Sequence, residues 1–474
     1  MDAAKLFFRE SAKGSIANEK RTNPNCSGWT VDVARVRRGS TGLRDGIWLR
    51  HFRLQSRDIY SKCHSAAGRG PARRVSVHLI DVDYPYDASP VSQEVYDRVV
   101  SLSPDVVGLS CFCWSADALL DLGSRVLERL PNALILAGGP SAGPVARDLL
   151  AVHESLHAVA RGEGEPVFLS LCRALCAGAS LDTVVGLTWR DASGAIRENP
   201  DPPLVDVALV PSPYRLGIQS SVCRSMLLDT CRGCKYRCQF CMFMGLGRKL
   251  RYVPIALVEA DLRWGVEHGV RSVRLNDGAV NYDTDRLREL AAAINRADPN
   301  GQLRFHYFVK LELLTREQVD ILATIPTAEV LIGAESLTPS ARRSMSKLPL
   351  ATEYFASQLL MLEKIGPVTC TLLMGLPGDT VAGLVQTLSW IRDFDRAHPD
   401  LFHMICLLWV LILPGSRSHE LRDRLGFRCQ ARGLPYVLQS DEHDPDTFLH
   451  MARVSVEYNY AQTKLLLDFF PLIT

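Results

Sequence analysis

The sequence predicts an α/β protein with a doubly wound parallel sheet in its N-terminal part and a partial (β/α)6 barrel after it. From residue 75 onward, short runs of Val, Ile and Leu alternate with helical stretches. A segment rich in Pro and Asp interrupts this alternation near residue 200, and six further β/α units follow. Strands and helices that alternate at this spacing form parallel sheets with right-handed crossovers.

The composition is that of a globular protein with two or three domains. The chain has 474 residues, is 47% hydrophobic and 22% charged, and has a formal net charge of +2. It contains no apolar run of about 18 residues, as a membrane-spanning helix would need. Its start lacks the apolar region and cleavage site of a signal peptide. We therefore predict a cytoplasmic protein without membrane or nucleic-acid partners.

Residues 1–70 are predicted to be a poorly ordered basic extension. They contain 14 Lys and Arg against 6 Asp and Glu, and they show no sustained helix or strand period. A basic binding arm is the alternative interpretation of this charge. We assign the segment no function.

Residues 75–200 are predicted to form the doubly wound domain. The first strands are expected in VSVHLIDV, DVVGLSCFC, ALILAGG and LHAVARG, with helical stretches between and after them. The stretch GLTWRDASGAIREN then indicates a hairpin with Ala-Ser-Gly in its turn. Residues 201–222 are rich in Pro and are predicted to be a linker.

Residues 223–430 are predicted to form the partial barrel, and residues 431–474 a C-terminal segment. The six strands are expected in SMLLDT, SVRLND, LRFHYFVKLE, EVLIGAES, VTCTLLMGLPG and MICLLWVLILPG. Helices are expected over 255–269, 284–296, 315–324, 352–365, 380–397 and 417–425. In such a barrel the chemistry lies at the C-terminal ends of the strands.

A cysteine cluster directly follows the first barrel strand. Four of the 14 cysteines lie between residues 231 and 241, and Cys234, Cys238 and Cys241 have the spacing C-x3-C-x2-C. Three thiolates on one short loop can hold three irons of a cubane iron–sulfur cluster and leave the fourth iron open to a ligand. We therefore predict these three cysteines as cluster ligands and Cys231 as a neighbour.

A zinc site is the alternative for this loop. With Cys231 included the spacing becomes C-x2-C-x3-C-x2-C, which offers four thiolates. Structural zinc sites usually pair two C-x2-C elements across a dozen or more residues, so four ligands within eleven residues would be cramped. Arg232, Lys235 and Arg237 make the loop polar, which is not typical of buried structural cysteines.

The segment RGCKYRCQFC resembles the signature of the radical S-adenosylmethionine (SAM) superfamily, in the form found in members with a cobalamin-binding domain. Four later segments resemble the strands of that family in the same order: LNDGAVNYD (275–283), VLIGAESLTPSARRSMSK (330–347), LLMGLPGDT (372–380) and WVLILPGS (409–416). This resemblance implies a 4Fe–4S cluster and SAM as cofactors.

The resemblance also implies the residues that contact SAM. Phe240 would shield the cluster and offer a face to the adenine ring. Asn276 and Asp277 match positions near the methionine moiety of SAM. Glu335 and Ser336 match polar positions near its ribose and carboxylate, although Glu335 at a strand end is also suited to cap the next helix.

The N-terminal sheet resembles the cobalamin-binding domain of the same branch. By this resemblance, Ser110 in VVGLSCFCWSAD would lie along the edge of the corrin, and Gly138 and Gly139 in ILAGGPSAG would let the nucleotide tail pass close to the backbone. The loop DVDYPYDASP lacks the histidine with which many such domains ligate cobalt from below. The resemblance therefore implies cobalamin with another lower ligand or none. A Rossmann- or flavodoxin-like sheet without cobalamin is the alternative.

The resemblance implies an enzyme that cleaves SAM reductively and, with cobalamin, methylates an unactivated carbon of a natural-product or peptide substrate. Alternatives are a cobalamin-dependent rearrangement or cyclisation, and a catalytically impaired cluster- or cobalamin-binding protein. The last is suggested by a C-terminal segment that is short for this family. An external electron donor such as flavodoxin or ferredoxin is expected.

We assign no catalytic side chain from the sequence. His306, Tyr307, Lys310 and His403 lie on or near barrel strands, where such residues usually belong to the core or the rim. His443 lies in the acidic segment SDEHDPD, which predicts solvated surface.

Overall fold

A computed structural model describes residues 75–81, 90–218, 224–243 and 247–458, together with the backbone of strands at 17–21 and 31–35. The chain divides into two units between Gln219 and Ser220, within the segment predicted as linker. Residues 432–434 group with the first unit. Among the helices in these ranges, none is long and apolar enough to cross a membrane.

The first three strands form a small sheet of their own. They are β1 (Ala17–Arg21), β2 (Val31–Arg35) and β3 (Val77–Asp81), with β1 antiparallel and β3 parallel to β2. The strand predicted in VSVHLIDV is therefore present as β3, but its partner is β2. Strand β2 comes from residues 1–70, where the alternation of apolar and polar residues is too short to predict a strand. The predicted disorder of the rest of that segment lies outside the described residues.

The main sheet of the first unit has five strands in sequential order. They are β4 (Val106–Ser110), β5 (Leu134–Gly138), β6 (Ala158–Ala160), β7 (Leu187–Arg190) and β8 (Ile196–Glu198). The first three are parallel, and β7 and β8 form the predicted antiparallel hairpin. The helices of this unit are Gln93–Leu102, Ala116–Arg129, Ala146–Val152 and Gly164–Ala177.

Helices cover both faces of this sheet. Ile135 and Ala137 of β5 belong to one hydrophobic cluster with residues of helix Ala116–Arg129. Leu136 lies between them in sequence and belongs to a second cluster with residues of helix Gly164–Ala177. Because successive strand side chains point to opposite faces, both faces are buried. The predicted α/β class of this domain is confirmed.

The second unit contains a six-stranded, fully parallel sheet. Its strands, in spatial and sequential order, are β9 (Ser225–Leu228), β12 (Ser272–Leu275), β13 (Arg304–Phe308), β14 (Thr327–Glu335), β15 (Val368–Met374) and β16 (Phe402–Trp409). The intervening helices are Ile255–Glu267, Thr284–Ala297, Arg316–Leu322, Pro339–Ser344, Thr352–Leu362 and Val381–Ala397, and Arg417–Glu420 follows β16. All six predicted β/α units are present, so the partial barrel is confirmed.

The two faces of this sheet are covered differently. On β14, Val330 and Ile332 are fully buried, as expected beneath the outer helices of a partial barrel. In the parallel register of β13 to β16, alternate residues of neighbouring strands lie side by side, and their side chains point to the same inner face. On that face Phe308, Met404 and Leu408 keep 36%, 43% and 38% of their surface exposed. The inner face therefore offers apolar surface to a ligand.

Two short ribbons and one helix complete the second unit. Strands β10 (Cys231–Arg232) and β11 (Arg251–Tyr252) form a ribbon around the cysteine loop, and β17 (Arg428–Cys429) pairs with β18 (Val437–Gln439). Helix Pro445–Glu457 places Phe448 against Trp409 of β16, with ring centroids 5.8 Å apart. The described part of the C-terminal segment thus packs on the sheet.

Candidate functional site

A two-stranded ribbon closes the base of the cysteine loop. The amide of Cys234 donates a hydrogen bond to the Gly247 carbonyl, 3.1 Å away. Gly233 has a φ of +102°, and a Cβ there would lie 2.4 Å from the carbonyl oxygen of Lys249. Only glycine fits this position, because a side chain would meet backbone that cannot retreat. The loop is therefore fixed immediately before its first predicted ligand.

Asp277 anchors the start of the same loop from the neighbouring strand end. Its buried carboxylate accepts hydrogen bonds from the amides of Thr230 and Cys231, at 2.8 and 2.9 Å, and from the Thr230 hydroxyl. Burial raises the pKa of Asp277 to about 7, against the effect of these donors. Asn276, beside it, donates to Asp229 at 3.1 Å. Asn276 and Asp277, the two residues predicted near the methionine moiety of SAM, thus make hydrogen bonds to other residues of the protein.

Replacement of Asp277 by alanine is expected to destabilise the loop by about 2–4 kcal/mol, because two buried amides would lose their acceptor. Asp277→Asn keeps an acceptor and should cost less than about 1 kcal/mol. Chemical unfolding of both variants beside the wild type tests this. Equal stability of the alanine variant and the wild type would contradict it.

The same residue predicts a pH dependence. An aspartate in an unfolded chain has a pKa of about 3.9, whereas that of folded Asp277 is raised to about 7. Between these values the folded state binds the extra proton, so its stability falls as the pH rises from about 4 to about 7. Asp277→Asn should lack this part of the slope.

The three predicted cluster ligands lie together. Cys234 and Cys238 are buried, Cys241 is half-buried, and the Cys241 amide donates to the Cys238 carbonyl at 3.1 Å. Burial, with smaller contributions from the charges on Cys238 and Cys234, raises the pKa of the Cys241 thiol to about 11. Burial also raises the pKa of Cys238, whereas Lys310 and Lys347 lower it. The two lysines therefore favour the thiolate form of Cys238, the middle cysteine of the three.

Cys231 has different neighbours. It belongs to β10, opposite Tyr252, and its thiol lies 3.8 Å from the Arg232 carbonyl. Burial and the charge of Asp277 raise its pKa to about 12. Among the described residues no three His, Cys, Asp or Glu side chains converge as ligands of a single metal ion do. Cubane ligands need no such convergence, since each sulfur binds a different iron.

Aromatic side chains pack beside Cys234. The hydroxyl of Tyr282 lies 3.0 Å from the Cys234 sulfur. The Tyr282 and Tyr236 rings stack with centroids 6.2 Å apart, and the Lys310 ammonium lies 4.3 Å from the Tyr236 centroid. Phe240, predicted to face adenine, is half-buried on the loop. The backbone carbonyl of the neighbouring Gln239 accepts a hydrogen bond from the Ser418 amide, 2.9 Å away.

The end of β14 carries a strained glutamate. Glu335 is buried with a φ of +62°, and its carboxylate contacts the Lys347 ammonium at 2.5 Å. Lys347 also donates to the Gly333 carbonyl at 2.9 Å. Burial alone would lower the pKa of Lys347, but Glu335 and Cys238 together raise it. A non-glycine residue in the left-handed region is uncommon and often marks a functional site.

The Ser336 hydroxyl makes two hydrogen bonds within the protein. Its hydroxyl donates to Asp379 at 3.0 Å and accepts from the Thr338 amide at 3.0 Å. Asp379 also accepts from the Thr380 amide, and burial raises its pKa. The fourth and fifth strand ends are thus joined by hydrogen bonds.

Sequence reasoning missed two basic residues at this edge. Arg342 is almost fully buried and donates to the carbonyls of Ala334 and Leu348, at 2.8 and 2.7 Å. Lys347 follows five residues later. Both belong to the stretch ARRSMSK, but in sequence they are not distinguishable from surface bases. Their burial depends on how helix Pro339–Ser344 meets the strand end.

Most of the other polar residues on the barrel have protein partners. His306 pairs with Glu329 at 2.9 Å, and Tyr307 is buried with its hydroxyl 2.7 Å from that of Thr327. His403 is exposed. The prediction of solvated surface for His443 is wrong: it is buried, and its Nε2 lies 3.0 Å from the Asp379 carbonyl. The acidic segment is instead the N-terminal cap of helix Pro445–Glu457, which turns His443 inward.

In the first unit, the candidate residues lie at the C-terminal edge of the sheet. Ser110 and Gly138 are register partners at the ends of β4 and β5. Gly139 has a φ of +91°, and a Cβ there would lie 2.9 Å from the Cys111 carbonyl oxygen. Glycine at 139 is therefore already required by the protein backbone. The loop without a histidine, DVDYPYDASP, falls largely outside the described residues.

One residue of this edge was not singled out from the sequence. The Ser141 hydroxyl is buried and has no hydrogen-bond partner among the described residues. Its amide is held by the Cys111 carbonyl at 3.1 Å. Buried hydroxyls without a partner are uncommon in native proteins, and one at the ligand-binding edge of an α/β sheet is suited to contact a ligand.

Comparison with known proteins agrees with the resemblance found in the sequence. Residues 228–391 match the radical SAM superfamily. The chain is 27% identical to the cobalamin-dependent radical SAM methyltransferase TokK of Streptomyces tokunonensis, over 65% of this chain and 47% of that protein. It is 30% identical to the 2-(S-pantetheinyl)-carbapenam-3-carboxylate methyltransferase of Streptantibioticus cattleyicolor, over 40% of this chain and 30% of that protein. The chain thus spans less than half the length of these relatives.

One solved structure has a similar fold. The radical SAM methyltransferase TsrM of Kitasatospora setae superposes with a TM-score of 0.61 over 82% of this chain and 78% of its own, at 16% identity. Residues 228–391 thus match the radical SAM superfamily, the chain is similar to proteins named as cobalamin-dependent members of it, and TsrM shares its fold.

Proposed function

We propose that the chain is a radical SAM enzyme that cleaves SAM reductively and methylates an unactivated carbon with the help of cobalamin. The observation that carries this proposal is the loop on which Cys234, Cys238 and Cys241 lie together while Cys231 is held apart. When bound, the cluster supplies the electron that breaks the S–C5′ bond of SAM, and cobalamin carries the methyl group. The protein positions these groups and excludes water.

The three sulfurs fit a cluster with one open iron. Cys231 is engaged in the ribbon with Tyr252 and next to Asp277, which supports its exclusion from the ligand set. Lys310 and Lys347 favour the thiolate of Cys238. An aminocarboxylate ligand such as the methionine part of SAM would complete the open coordination sites.

The SAM contacts in this proposal are Phe240, Asn276, Glu335 and Ser336. The Glu335 carboxylate and the Lys347 ammonium offer both charges at the edge where the loop cysteines lie. We assign Asp277 to the support of the loop, because its oxygens already accept three hydrogen bonds from Thr230 and Cys231.

The first unit fits a cobalamin at Ser110, Gly138 and Gly139. The unpartnered Ser141 hydroxyl supports a polar ligand at this edge, and the two glycines leave the backbone accessible. The described residues supply no ligand that we assign to cobalt.

Ser141→Ala is expected to raise the stability of the cobalamin-free chain by about 1 kcal/mol, because it removes a buried hydroxyl that lacks a partner. The same change should weaken cobalamin binding by about tenfold. Ser124→Ala is the matched control: it breaks the 2.7 Å hydrogen bond between Ser124 and Ser155 and should only destabilise. Unchanged cobalamin affinity in Ser141→Ala would contradict the assignment.

The substrate in this proposal lies on the inner face of the six-stranded sheet. Phe308, Met404 and Leu408 expose apolar surface there. Apolar walls suit a substrate whose reacting carbon carries no activating group, and they keep water away from it. A small natural product or a peptide with an apolar part would satisfy this surface.

Anaerobic incubation of the reconstituted chain with methyl-labelled SAM, hydroxocobalamin and a reductant tests the function. Candidate substrates are those of the named relatives and apolar peptides. The expected products are 5′-deoxyadenosine, S-adenosylhomocysteine and labelled substrate. Deoxyadenosine without S-adenosylhomocysteine would indicate a rearrangement or cyclisation, and absence of both would overturn the proposal.

Leu408→Trp is expected to lower methyl transfer by about tenfold or more, since the larger ring would displace the substrate from the inner face. Cleavage of SAM without substrate should fall less than methyl transfer, because Leu408 belongs to β16, whereas the cysteine loop follows β9 at the other edge of the sheet. Leu360→Trp is the control: Leu360 is equally exposed, at 38%, but lies on helix Thr352–Leu362. Equal methyl transfer in both variants would argue against this substrate position.

A further inference from the structure

The hydroxyl of a buried tyrosine lies against the first cysteine of the loop. Tyr282 Oη and Cys234 Sγ are 3.0 Å apart, and both side chains are largely buried. We propose that Tyr282 donates a hydrogen bond to the sulfur of Cys234 when that sulfur ligates the cluster, and that this bond raises the reduction potential of the cluster. The proposal rests on the function proposed above.

The direction of the hydrogen bond follows from the chemistry of the ligand. A cysteine bound to iron is a thiolate and has no hydrogen to donate. The phenol hydroxyl is therefore the only donor of the pair, and the sulfur accepts.

The surrounding residues hold the hydroxyl at this sulfur. A Cβ at residue 278 would lie only 2.7 Å from Tyr282 Oη, so Gly278 provides the space that the hydroxyl occupies. The Tyr282 ring packs with Ala279 and Cys234 and stacks on Tyr236, with an interplanar angle of 29°. The Tyr236 ring in turn lies under the Lys310 ammonium. The phenol is therefore fixed by contacts on its face and around its hydroxyl.

The effect on the potential has a definite sign. Reduction adds one negative charge to the cluster and its sulfurs, so a hydrogen bond to a sulfur is stronger in the reduced state. Hydrogen bonds to the sulfurs are among the determinants of iron–sulfur potentials. Loss of the Tyr282 hydroxyl should therefore disfavour the reduced cluster, which is the form that delivers an electron to SAM.

Tyr282→Phe removes the hydroxyl and keeps the ring. The matched control is Tyr236→Phe, which removes the hydroxyl of the stacked ring; among the described residues that hydroxyl makes no hydrogen bond to a cysteine. The full chain is purified anaerobically, and its iron and sulfide are measured. The ratio of reduced to oxidised cluster is then followed by electron paramagnetic resonance during a titration against applied potential.

We expect Tyr282→Phe to bind iron and sulfide like the wild type. At a fixed potential its ratio of reduced to oxidised cluster should fall by about tenfold, a shift of about 59 mV for a one-electron couple. Tyr236→Phe should lie much closer to the wild type. A fully loaded Tyr282→Phe protein with the wild-type potential would overturn the proposal, and so would an equal shift in both variants.

A second substitution decides the case in which Tyr282→Phe does not retain a cluster. Site-specific 3-fluorotyrosine at position 282 has nearly the same shape and a more acidic hydroxyl, so it should raise the potential above that of the wild type. An unchanged potential in this protein would overturn the proposal. Absence of any cluster in the wild type would instead contradict the proposed function, so the two failures are distinguishable.

Discussion

Replacement of Cys234, Cys238 and Cys241 together by alanine is expected to abolish iron and sulfide binding and the broad absorption that a 4Fe–4S cluster gives. All three sulfurs lie on one loop fixed by the Cys234 amide and by Gly233. Each of the three irons would have one of these thiolates as its only protein ligand. Replacement of all three cysteines therefore leaves the cluster without a protein ligand. The measurements are iron and sulfide content and the absorption spectrum of anaerobically reconstituted protein.

Cys231→Ser is the matched control for this prediction. Cys231 belongs to the ribbon, where it is the register partner of Tyr252, and the hydrogen bond that its backbone amide donates to Asp277 does not depend on the thiol. The variant should therefore bind as much iron as the wild type. Zinc bound by the wild type in place of iron, and lost in Cys231→Ser, would favour the four-thiolate zinc site. Retention of a full cluster in the triple alanine variant would contradict the assignment of the ligands.

The sequence predicted the six-stranded sheet well because its signals are local. Each strand is a short apolar run followed by a helix with a polar face, and parallel β/α units can be connected in few ways. The spacing of Cys234, Cys238 and Cys241 is also local, since one loop supplies all three residues. Features that depend on a few neighbouring residues could therefore be read directly.

Features that depend on distant contacts were not predicted. Asp277 follows β12, yet it holds Thr230 and Cys231, which lie 47 and 46 residues earlier, and only the register of β9 with β12 brings them together. His443 lies in an acidic stretch, but its position is set by the Asp379 carbonyl. The pairing of β3 with β2 likewise depends on a segment without a sustained pattern.

The glycine pair in the first unit shows that glycine at one position can have more than one physical cause. Gly138 and Gly139 were predicted to give a nucleotide tail access to the backbone. The left-handed φ of Gly139 and its approach to Cys111 are sufficient to require glycine there without any ligand. The sequence shows that a side chain is absent, whereas only the structure shows which group would collide with it.

The buried pair of Glu335 and Lys347 leads to the second large prediction. Lys347→Met is expected to destabilise the chain by about 3–5 kcal/mol, because it leaves the Glu335 carboxylate buried without its counterion. Both side chains are largely buried, and their charged atoms lie 2.5 Å apart. The measurement is chemical unfolding of the full chain under anaerobic conditions, followed by tryptophan fluorescence.

Two further variants separate the ion pair from the simple loss of a lysine. Lys364→Met removes an exposed lysine and should change the stability by less than about 0.5 kcal/mol. The double variant Glu335→Gln/Lys347→Met removes both charges and should recover much of the loss, since no unpaired charge stays buried. A double variant no more stable than Lys347→Met would contradict the role of the pair.

The same variants link this pair to the cysteine loop. Lys347 lowers the pKa of Cys238, and the charge of Glu335 raises it. Lys347→Met should therefore slow the reconstitution of the cluster at neutral pH, because less thiolate is available at Cys238. The double variant should reconstitute faster than Lys347→Met. If reconstitution is equally slow in both, the electrostatic link fails and the pair acts through stability alone.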